Sequence, residues 1–211
     1  MRYKAVLFDM DGTVVNSNEN VMKSWYRLAK NANLDPEAIH SIHGMPARSF
    51  IPMLLGPERK DEAALWISWH LEQECNDLEG VIAVEGAKEL LRYLDSIEIP
   101  WTIVTSCERP LALARMKYAG MPIPDTLVSV DDVTRGKPDP EPFLLGAERL
   151  RVSANECIAV EDAVSGLTAA GLAGAYTIGV VSTHTRDQLE IADFVADSLS
   201  EVEHHIKELL Q

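Results

Sequence analysis

The chain has 211 residues, of which 46% are hydrophobic and 25% charged, so its composition excludes disordered and collagen-like proteins. Its formal net charge of −14 argues against a nucleic-acid partner, because phosphate backbones are bound by basic surfaces. Three widely separated cysteines and the lack of a signal-like or membrane-spanning apolar run predict a reduced, cytoplasmic protein with no membrane association. A monomer is the default expectation.

The first elements along the chain are a strand and then a helical block. Residues 5–8 form a continuous apolar run that ends at Asp9, as expected for a strand buried on both faces. From residue 17 to residue 79 the apolar residues recur at helical spacing, and prolines (Pro52 among them) and glycines divide the block into several short helices. No strand pattern appears there. We therefore predict an all-helical insertion after the first strand.

After residue 85 predicted helices and strands alternate. The strands are expected at 101–105, 126–129, 157–160, 175–179 and 193–195, and the helices at 87–96, 110–119, 141–150, 164–172 and 199–210. This alternation predicts an α/β fold, a Rossmann-like parallel sheet with helices on both faces. The α/β catalytic core would comprise residues 1–16 and 85–211, with residues 17–84 inserted as a helical cap.

Two acidic residues follow the first strand, at Asp9 and Asp11, and Gly12 after them permits a tight turn. Ligands of parallel α/β sheets bind outside the carboxyl ends of the strands, so these carboxylates fall where a site is expected. One carboxylate could attack a phosphoryl group, and the other could protonate the leaving oxygen and then activate water. Taken alone, the segment Asp-Met-Asp-Gly (9–12) is as typical of a turn or a helix cap as it is of a catalytic site.

Another acidic pair, Glu161 and Asp162, follows a second predicted strand. Carboxylate oxygens suit Mg²⁺, which needs few protein ligands, so Asp162 together with Asp9 would anchor the ion. Helix N-capping is the alternative role for an aspartate at this position.

Phosphate-binding candidates lie after the strand at 101–105 and in the segment 135–140. The hydroxyl of Ser106 or of Thr105, beside a helix start, could hold a phosphate oxygen, or could simply cap the helix. Lys137 lies in a Gly-Lys-Pro-Asp-Pro loop and could neutralise a phosphoryl group and the attacking carboxylate. An ordinary solvated loop lysine is the alternative.

The order and spacing of these segments resemble the four motifs of the haloacid dehalogenase superfamily. The four segments are FDMDGT (8–13), IVTS (103–106), GKPDP (136–140) and VEDA (160–163). The similarity covers essentially the whole chain, and the helical block is similar to the superfamily's helical cap. Through IPWTIVTS (99–106) and the GKPDPEPFLLGA segment (136–147), the chain most resembles the bacterial sugar phosphatases.

The resemblance implies a role for each motif residue. It implies that Asp9 is the nucleophile and that Asp11 is the general acid and base. Asp9, the backbone carbonyl of Asp11 and Asp162 would bind Mg²⁺ with the assistance of Glu161. Ser106 or Thr105 would hold the phosphoryl group with Lys137.

The same resemblance implies hydrolysis of a small phosphorylated metabolite, such as a sugar, sugar-alcohol or glycerol phosphate. The presence of Asp11 implies phosphoryl transfer, since the true dehalogenases lack this second acid. Two other functions remain open: a sugar-phosphate mutase of the β-phosphoglucomutase type, and a catalytically silent binding protein with the same fold.

Within the predicted cap, His43, Gly44 and Arg48 are the candidates for contacting the leaving group, because they lie in a turn between helices and offer polar groups. His43 beside Gly44 could equally mark a helix end. The segments 15–17 and 84–86 are the expected hinges.

Overall fold

The structure is a computed structural model that describes residues 2–41 and 47–210, with the backbone alone for residues 40 and 41. The chain divides into two compact units: Ser17–Val81, and the described residues on either side of that segment. This division lies three residues from the predicted boundary at residue 84. The function of the helical unit as a cap stays a prediction.

The described residues of the helical unit form three α-helices around an apolar cluster. In the first helix, α1 (Asn18–Ala32), the buried residues Trp25, Leu28, Ala29 and Ala32 recur at helical spacing. They pack against residues of α2 (Ala47–Leu55), such as Phe50. The helices are α1 (Asn18–Ala32), α2 (Ala47–Leu55) and α3 (Ala63–Asn76), with 3₁₀ turns at Pro36–Ser41 and Pro57–Glu62.

The other unit is built on a five-stranded parallel sheet, which confirms the predicted α/β class. Its strands are β1 (Ala5–Phe8), β4 (Trp101–Ile103), β5 (Cys157–Glu161), β6 (Tyr176–Val180) and β7 (Phe194–Ala196). They follow the spatial order β4-β1-β5-β6-β7. A separate antiparallel pair is formed by β2 (Val15–Asn16) and β3 (Ile82–Ala83).

Helices cover both faces of this sheet, as predicted. Leu7 and Ala159 point to one face and pack against buried residues of α6 and α7, including Phe143. The alternate residues of the same strands, Val6 and Ile158, are also fully buried. Helix α8 packs against β6 and β7 and also contacts helix α4. The helices are α4 (Ala87–Ser96), α5 (Arg109–Tyr118), α6 (Glu141–Arg149), α7 (Val164–Ala173) and α8 (Leu199–Leu209).

The strand order places a topological switch point beside β1. Strand β1 pairs with β4 on one side and with β5 on the other, so that Phe8 lies opposite Ile103 in β4 and Val160 in β5. Open α/β sheets bind their ligands at the carboxyl ends of the strands beside such a point. The ends of β1, β4 and β5 therefore meet at one edge.

Three local features differ from the predictions. The expected strand at 126–129 is reduced to a bridge between Val128 and Val104, because the chain turns at Pro124 and enters a 3₁₀ turn at Val130–Asp132. Pro52 was expected to interrupt a helix, but it lies inside α2, where burial of Phe50 and Ile51 outweighs one missing backbone hydrogen bond. The β2–β3 pair was not predicted, since two-residue strands carry too little pattern.

In the described part of the chain, the helices are too short or too polar to cross a lipid bilayer.

Candidate active site

Three buried carboxylates meet at the carboxyl ends of β1 and β5. Asp9 follows β1, Glu161 ends β5 and Asp162 comes next along the chain. A backbone hydrogen bond from Asp9 N to Val160 O, 2.9 Å long, holds the two strand ends together. One oxygen from each of the three side chains lies within 4.8 Å of the others. The structure thus brings together three of the predicted acids.

Lys137 supplies a buried ammonium group to this cluster. Its Nζ donates hydrogen bonds to Asp9 Oδ1 at 2.6 Å and to Glu161 Oε1 at 2.7 Å. A third bond, 2.8 Å long, runs to the carbonyl oxygen of Val104 at the end of β4. All three donor positions of the ammonium are therefore used, and Lys137 is not a solvated loop residue.

Burial and an excess of negative charge both act on the cluster, in which one ammonium faces three carboxylates. Burial raises the pKa of Asp9 well above its usual value; Lys137 opposes this shift, and Glu161 and Asp162 add to it. Burial, and to a smaller extent the negative charge of Glu161, raise the pKa of Asp162 to about 7. Burial alone would lower the pKa of Lys137, but Asp9 and Glu161 outweigh it and raise that pKa.

A ring of polar contacts orients Asp162. Thr13 Oγ1 donates to Asp162 Oδ1 at 3.3 Å, and the hydroxyl of Thr183 donates a short hydrogen bond to Oδ2. Gly12 passes so close that an added Cβ would lie 2.2 Å from Oδ2, and its φ of +89° also favours glycine. Sequence reasoning missed Thr183, although it lies just past the end of β6, where the strand-end rule applies.

Glu161 is held from two sides. Its Oε1 accepts from Lys137, and its Oε2 accepts the backbone N–H of Ala163 at 2.8 Å. Gly166, in the first turn of α7, leaves room for this carboxylate: an added Cβ would lie 1.6 Å from Oε1. Sequence reasoning gave Gly166 no role, since a glycine in a helix carries no visible sign of what it faces.

Asp11 lies in the turn after β1 and has different partners. Arg115 of α5 donates from Nη1 to Asp11 Oδ1 at 3.0 Å, and Cys107 Sγ donates to Oδ2 at 2.9 Å. Neither Arg115 nor Cys107 was among the predicted site residues. The only signal in the sequence is an arginine at a position of α5 where the helical spacing places an apolar residue.

The two candidate hydroxyls after β4 differ in their surroundings. Thr105 is buried, and its Oγ1 accepts the backbone N–H of Cys107 at 3.1 Å, which makes it part of the loop. Ser106 is half-buried and forms no side-chain hydrogen bond with the residues that the structure describes. Ser106 is thus the hydroxyl that is available to a ligand.

Of the predicted leaving-group contacts, Arg48 lies on the exposed surface of the first turn of α2. His43 and Gly44 lie outside the described residues. The proposed contacts of these three residues with a substrate stay a prediction.

The donor set fits a divalent metal ion. Mg²⁺ prefers carboxylate and carbonyl oxygens, and Asp9 and Asp162 offer such oxygens from neighbouring strands. Burial, with a smaller contribution from the neighbouring carboxylates, raises the pKa of both residues, so a bound cation would favour their ionised forms. Both oxygens of Glu161 already accept hydrogen bonds, so its position suits orientation of Lys137. Such a site can combine a carboxylate nucleophile with cationic stabilisation of a phosphoryl group.

Comparison with known proteins places this geometry among hydrolases. A family model of haloacid dehalogenase-like hydrolases matches residues 3–174. Hexitol phosphatase A of Escherichia coli K12 is 40% identical over 205 residues, covering 96% of this chain and 94% of the relative. Validoxylamine A 7'-phosphate phosphatase of Streptomyces hygroscopicus subsp. limoneus is 32% identical, covering 95% and 96%. The crystal structure of a hydrolase from Pseudomonas syringae superposes with a TM-score of 0.80 at 28% identity, covering 97% and 98%.

Proposed function

The chain belongs to the haloacid dehalogenase-like hydrolases, and we propose that within this family it is a phosphatase of small phosphate monoesters that uses Mg²⁺. The observation that carries the proposal is the Lys137 ammonium, which lies 2.6 Å from Asp9 and 2.7 Å from Glu161 beside the carboxylate of Asp162. A buried lysine so fixed beside a strand-end carboxylate suits the transfer of a phosphoryl group to that carboxylate.

In the first step, a carboxylate oxygen of Asp9 attacks phosphorus while the bond from phosphorus to the leaving oxygen breaks. Asp11 gives its proton to the departing alkoxide, so the alcohol leaves uncharged. Asp9 then carries the phosphoryl group as an acyl phosphate. Lys137 neutralises charge on the attacking carboxylate and on the phosphoryl oxygens.

In the second step, Asp11 takes a proton from a water molecule, whose oxygen attacks phosphorus. The bond between phosphorus and Asp9 breaks, which releases inorganic phosphate and restores the carboxylate. Ser106, whose hydroxyl has no partner among the described residues, is the proposed hydroxyl contact of the phosphoryl oxygens. Thr105 is assigned to the loop structure because it accepts the N–H of Cys107.

Asp9, Asp162 and the backbone carbonyl of Asp11 would hold Mg²⁺, with Glu161 acting through Lys137. When bound, the ion supplies the positive charge that the three buried carboxylates lack and stabilises the non-bridging phosphoryl oxygens. Thr13 and Thr183, which hydrogen-bond to Asp162, would orient this ligand.

Sugar-alcohol and sugar monophosphates are the proposed substrates. This choice is supported by the names of two relatives, a hexitol phosphatase and a validoxylamine 7'-phosphate phosphatase, which align over almost the whole chain. The helical unit would act as the cap that contacts the leaving group, with His43, Gly44 and Arg48 as candidates. The proposal includes a reduced cytoplasmic setting, in which Cys75, Cys107 and Cys157 would stay as thiols.

The test is a phosphate-release assay over a panel of sugar, sugar-alcohol, glycerol and nucleotide monophosphates, with and without Mg²⁺. We expect Mg²⁺-dependent release that is abolished in Asp9→Asn. The matched control is Asp125→Asn, which makes the same change in an exposed turn and should keep full activity. Turnover in EDTA or in Asp9→Asn at the wild-type rate would overturn the mechanism.

The same assay separates the other two functions. A mutase would convert one sugar monophosphate isomer into another with little free phosphate, which chromatography of the products would reveal. A silent binding protein would release no phosphate from any member of the panel.

A further inference from the structure

Helix α5 carries a charged residue in its buried stripe. Arg115 shares this stripe with Leu111, Ala112 and Met116, and only 2% of its surface is exposed. Moving a guanidinium out of water costs several kcal/mol, and a well-packed apolar residue usually stabilises such a position as well or better. Packing alone therefore does not account for an arginine here.

One described ion pair of Arg115 joins it to a carboxylate of the candidate site, that of Asp11. Its Nη1 lies 3.0 Å from Asp11 Oδ1 and 3.2 Å from Cys107 Sγ, and that sulfur donates to Asp11 Oδ2 at 2.9 Å. In this ion pair the Arg115 side chain is almost completely buried, with 3% of its surface exposed, whereas 23% of the Asp11 side chain is exposed. Cys107, in the loop after β4, and Arg115, in the helix that follows, thus donate to the two carboxylate oxygens of Asp11, the proposed acid and base.

The backbone of Asp11 is already fixed, so these donors act on its side-chain torsions. The amide groups of Val14 and Val15 both donate to Met10 O, at 3.0 and 2.9 Å, and Gly12 N donates to Val15 O at 2.8 Å. With the main chain closed into this turn, the carboxylate can still rotate about two bonds. A catalytic group misplaced by about 1 Å can lose roughly 10²-fold in rate, so an orienting pair has a large effect.

We propose that Arg115 and Cys107 are positioning residues that set the orientation of the Asp11 carboxylate for proton exchange with the leaving group. This inference rests on the proposed function, which makes Asp11 the acid and base. The guanidinium is a strong donor and the thiol a weak one. Arg115 therefore holds Oδ1 firmly, and Cys107 fixes the second oxygen, Oδ2, more weakly.

The test uses two leaving groups that differ in their need for an acid. An alkoxide leaving from a hexitol monophosphate needs a proton, whereas p-nitrophenolate leaves well without one. The constant kcat/KM covers the steps up to phosphorylation of Asp9, and so it reports acid assistance to the leaving group. Asp11→Asn should lose about 10²–10⁴-fold on the hexitol ester and much less on p-nitrophenyl phosphate.

Arg115→Met keeps an unbranched apolar stem of similar flexibility and removes the guanidinium with its charge. We expect its kcat/KM to fall roughly 10- to 100-fold on the hexitol ester and to change little on p-nitrophenyl phosphate. The matched control is Arg109→Met, which removes an arginine from the same helix. Arg109 pairs with Asp132 at 2.5 Å, away from Asp11. Its loss should leave kcat/KM unchanged on both substrates or change it by the same factor on both.

Cys107 gives a second and independent arm, which does not need Arg115→Met to fold. Cys107→Ser keeps a donor beside Asp11 and should retain the wild-type ratio of the two kcat/KM values. Cys107→Ala removes the donor and should lower that ratio in the same direction as Asp11→Asn.

The inference is overturned if Arg115→Met and Cys107→Ala lower kcat/KM equally on both substrates, since a merely structural role predicts that result. Wild-type constants in both variants would overturn it as well. Failure of the proposed function looks different: Asp11→Asn itself would then show no dependence on the leaving group, or the wild type would release no phosphate.

Discussion

Gly166 makes the packing beside the active site testable with a single methyl group. An added Cβ at this position of α7 would lie 1.6 Å from Glu161 Oε1 and 1.9 Å from Cδ. Ordinary contacts between such atoms are about 3.5 Å, so in Gly166→Ala the carboxylate must move by roughly 2 Å. That movement breaks the 2.7 Å bond from Lys137 or the 2.8 Å bond from the N–H of Ala163.

The free energy of unfolding should fall because two losses outweigh one gain. Overpacking a filled interior costs about 1–3 kcal/mol, and losing a hydrogen bond between charged groups costs about 1.5–3 kcal/mol. Alanine favours a helix over glycine by about 1 kcal/mol, which offsets part of this. We expect a net destabilisation of roughly 1.5–5 kcal/mol. Turnover should also fall, since the carboxylate of Glu161 that orients Lys137 is displaced.

Urea unfolding of Gly166→Ala, with Gly171→Ala as its control, measures this effect. Gly171 lies on the same helix, and a Cβ added there meets nothing within 4 Å. Gly171→Ala should therefore keep or slightly raise the unfolding midpoint and leave kcat unchanged. If Gly166→Ala matches Gly171→Ala in both midpoint and kcat, the tight packing of Gly166 on Glu161 is refuted.

Three further outcomes are expected. Gly12→Ala should weaken Mg²⁺ binding in calorimetry, since its Cβ would lie 2.2 Å from Asp162 Oδ2; unchanged affinity would contradict this contact. Because burial raises the pKa of Asp162 to about 7, the stability it contributes to the metal-free protein is present below pH 4 and lost as the pH rises to 7. Mg²⁺ should then raise Tm more at pH 8 than at pH 5, and an equal rise would refute it. Asp132→Ala should lose roughly 2–4 kcal/mol of stability through its bonds to Arg109 and Arg149 while kcat of the folded protein stays unchanged.

The location of the candidate site was predictable because it follows from a local sequence pattern and one general rule. An apolar run ending in an acid marks the end of a buried strand, and parallel strands bring their carboxyl ends to one edge. The register of β1 with β5, Phe8 opposite Val160, then sets Asp9 beside Glu161 and Asp162. Lys137 follows no strand in the structure, and its place was predicted from the family motif.

The groups that orient the site were not predictable in the same way. The contact of Arg115 with Asp11 joins residues 104 positions apart, and nothing in the local pattern relates the two. The contact of Gly166 with Glu161 depends on how closely the start of α7 approaches the side chain before it. Both depend on distances of a few ångströms between elements, which hydrophobic spacing does not encode. The strand expected at 126–129 was wrong for a related reason, since an apolar run cannot show where its backbone finds partners.

The charge of the site explains how an acidic protein can bind an acidic substrate. The chain has 33 acidic and 19 basic residues, and its site repeats that imbalance, with three buried carboxylates against the single ammonium of Lys137. A phosphate dianion would be repelled by this cluster. A divalent cation bound to Asp9 and Asp162 would bring its formal charge to zero, since two positive charges then join the lysine against three negative ones. Discrimination for phosphate esters would therefore depend on the cation and on Lys137 together, and substrate affinity should fall when either is removed.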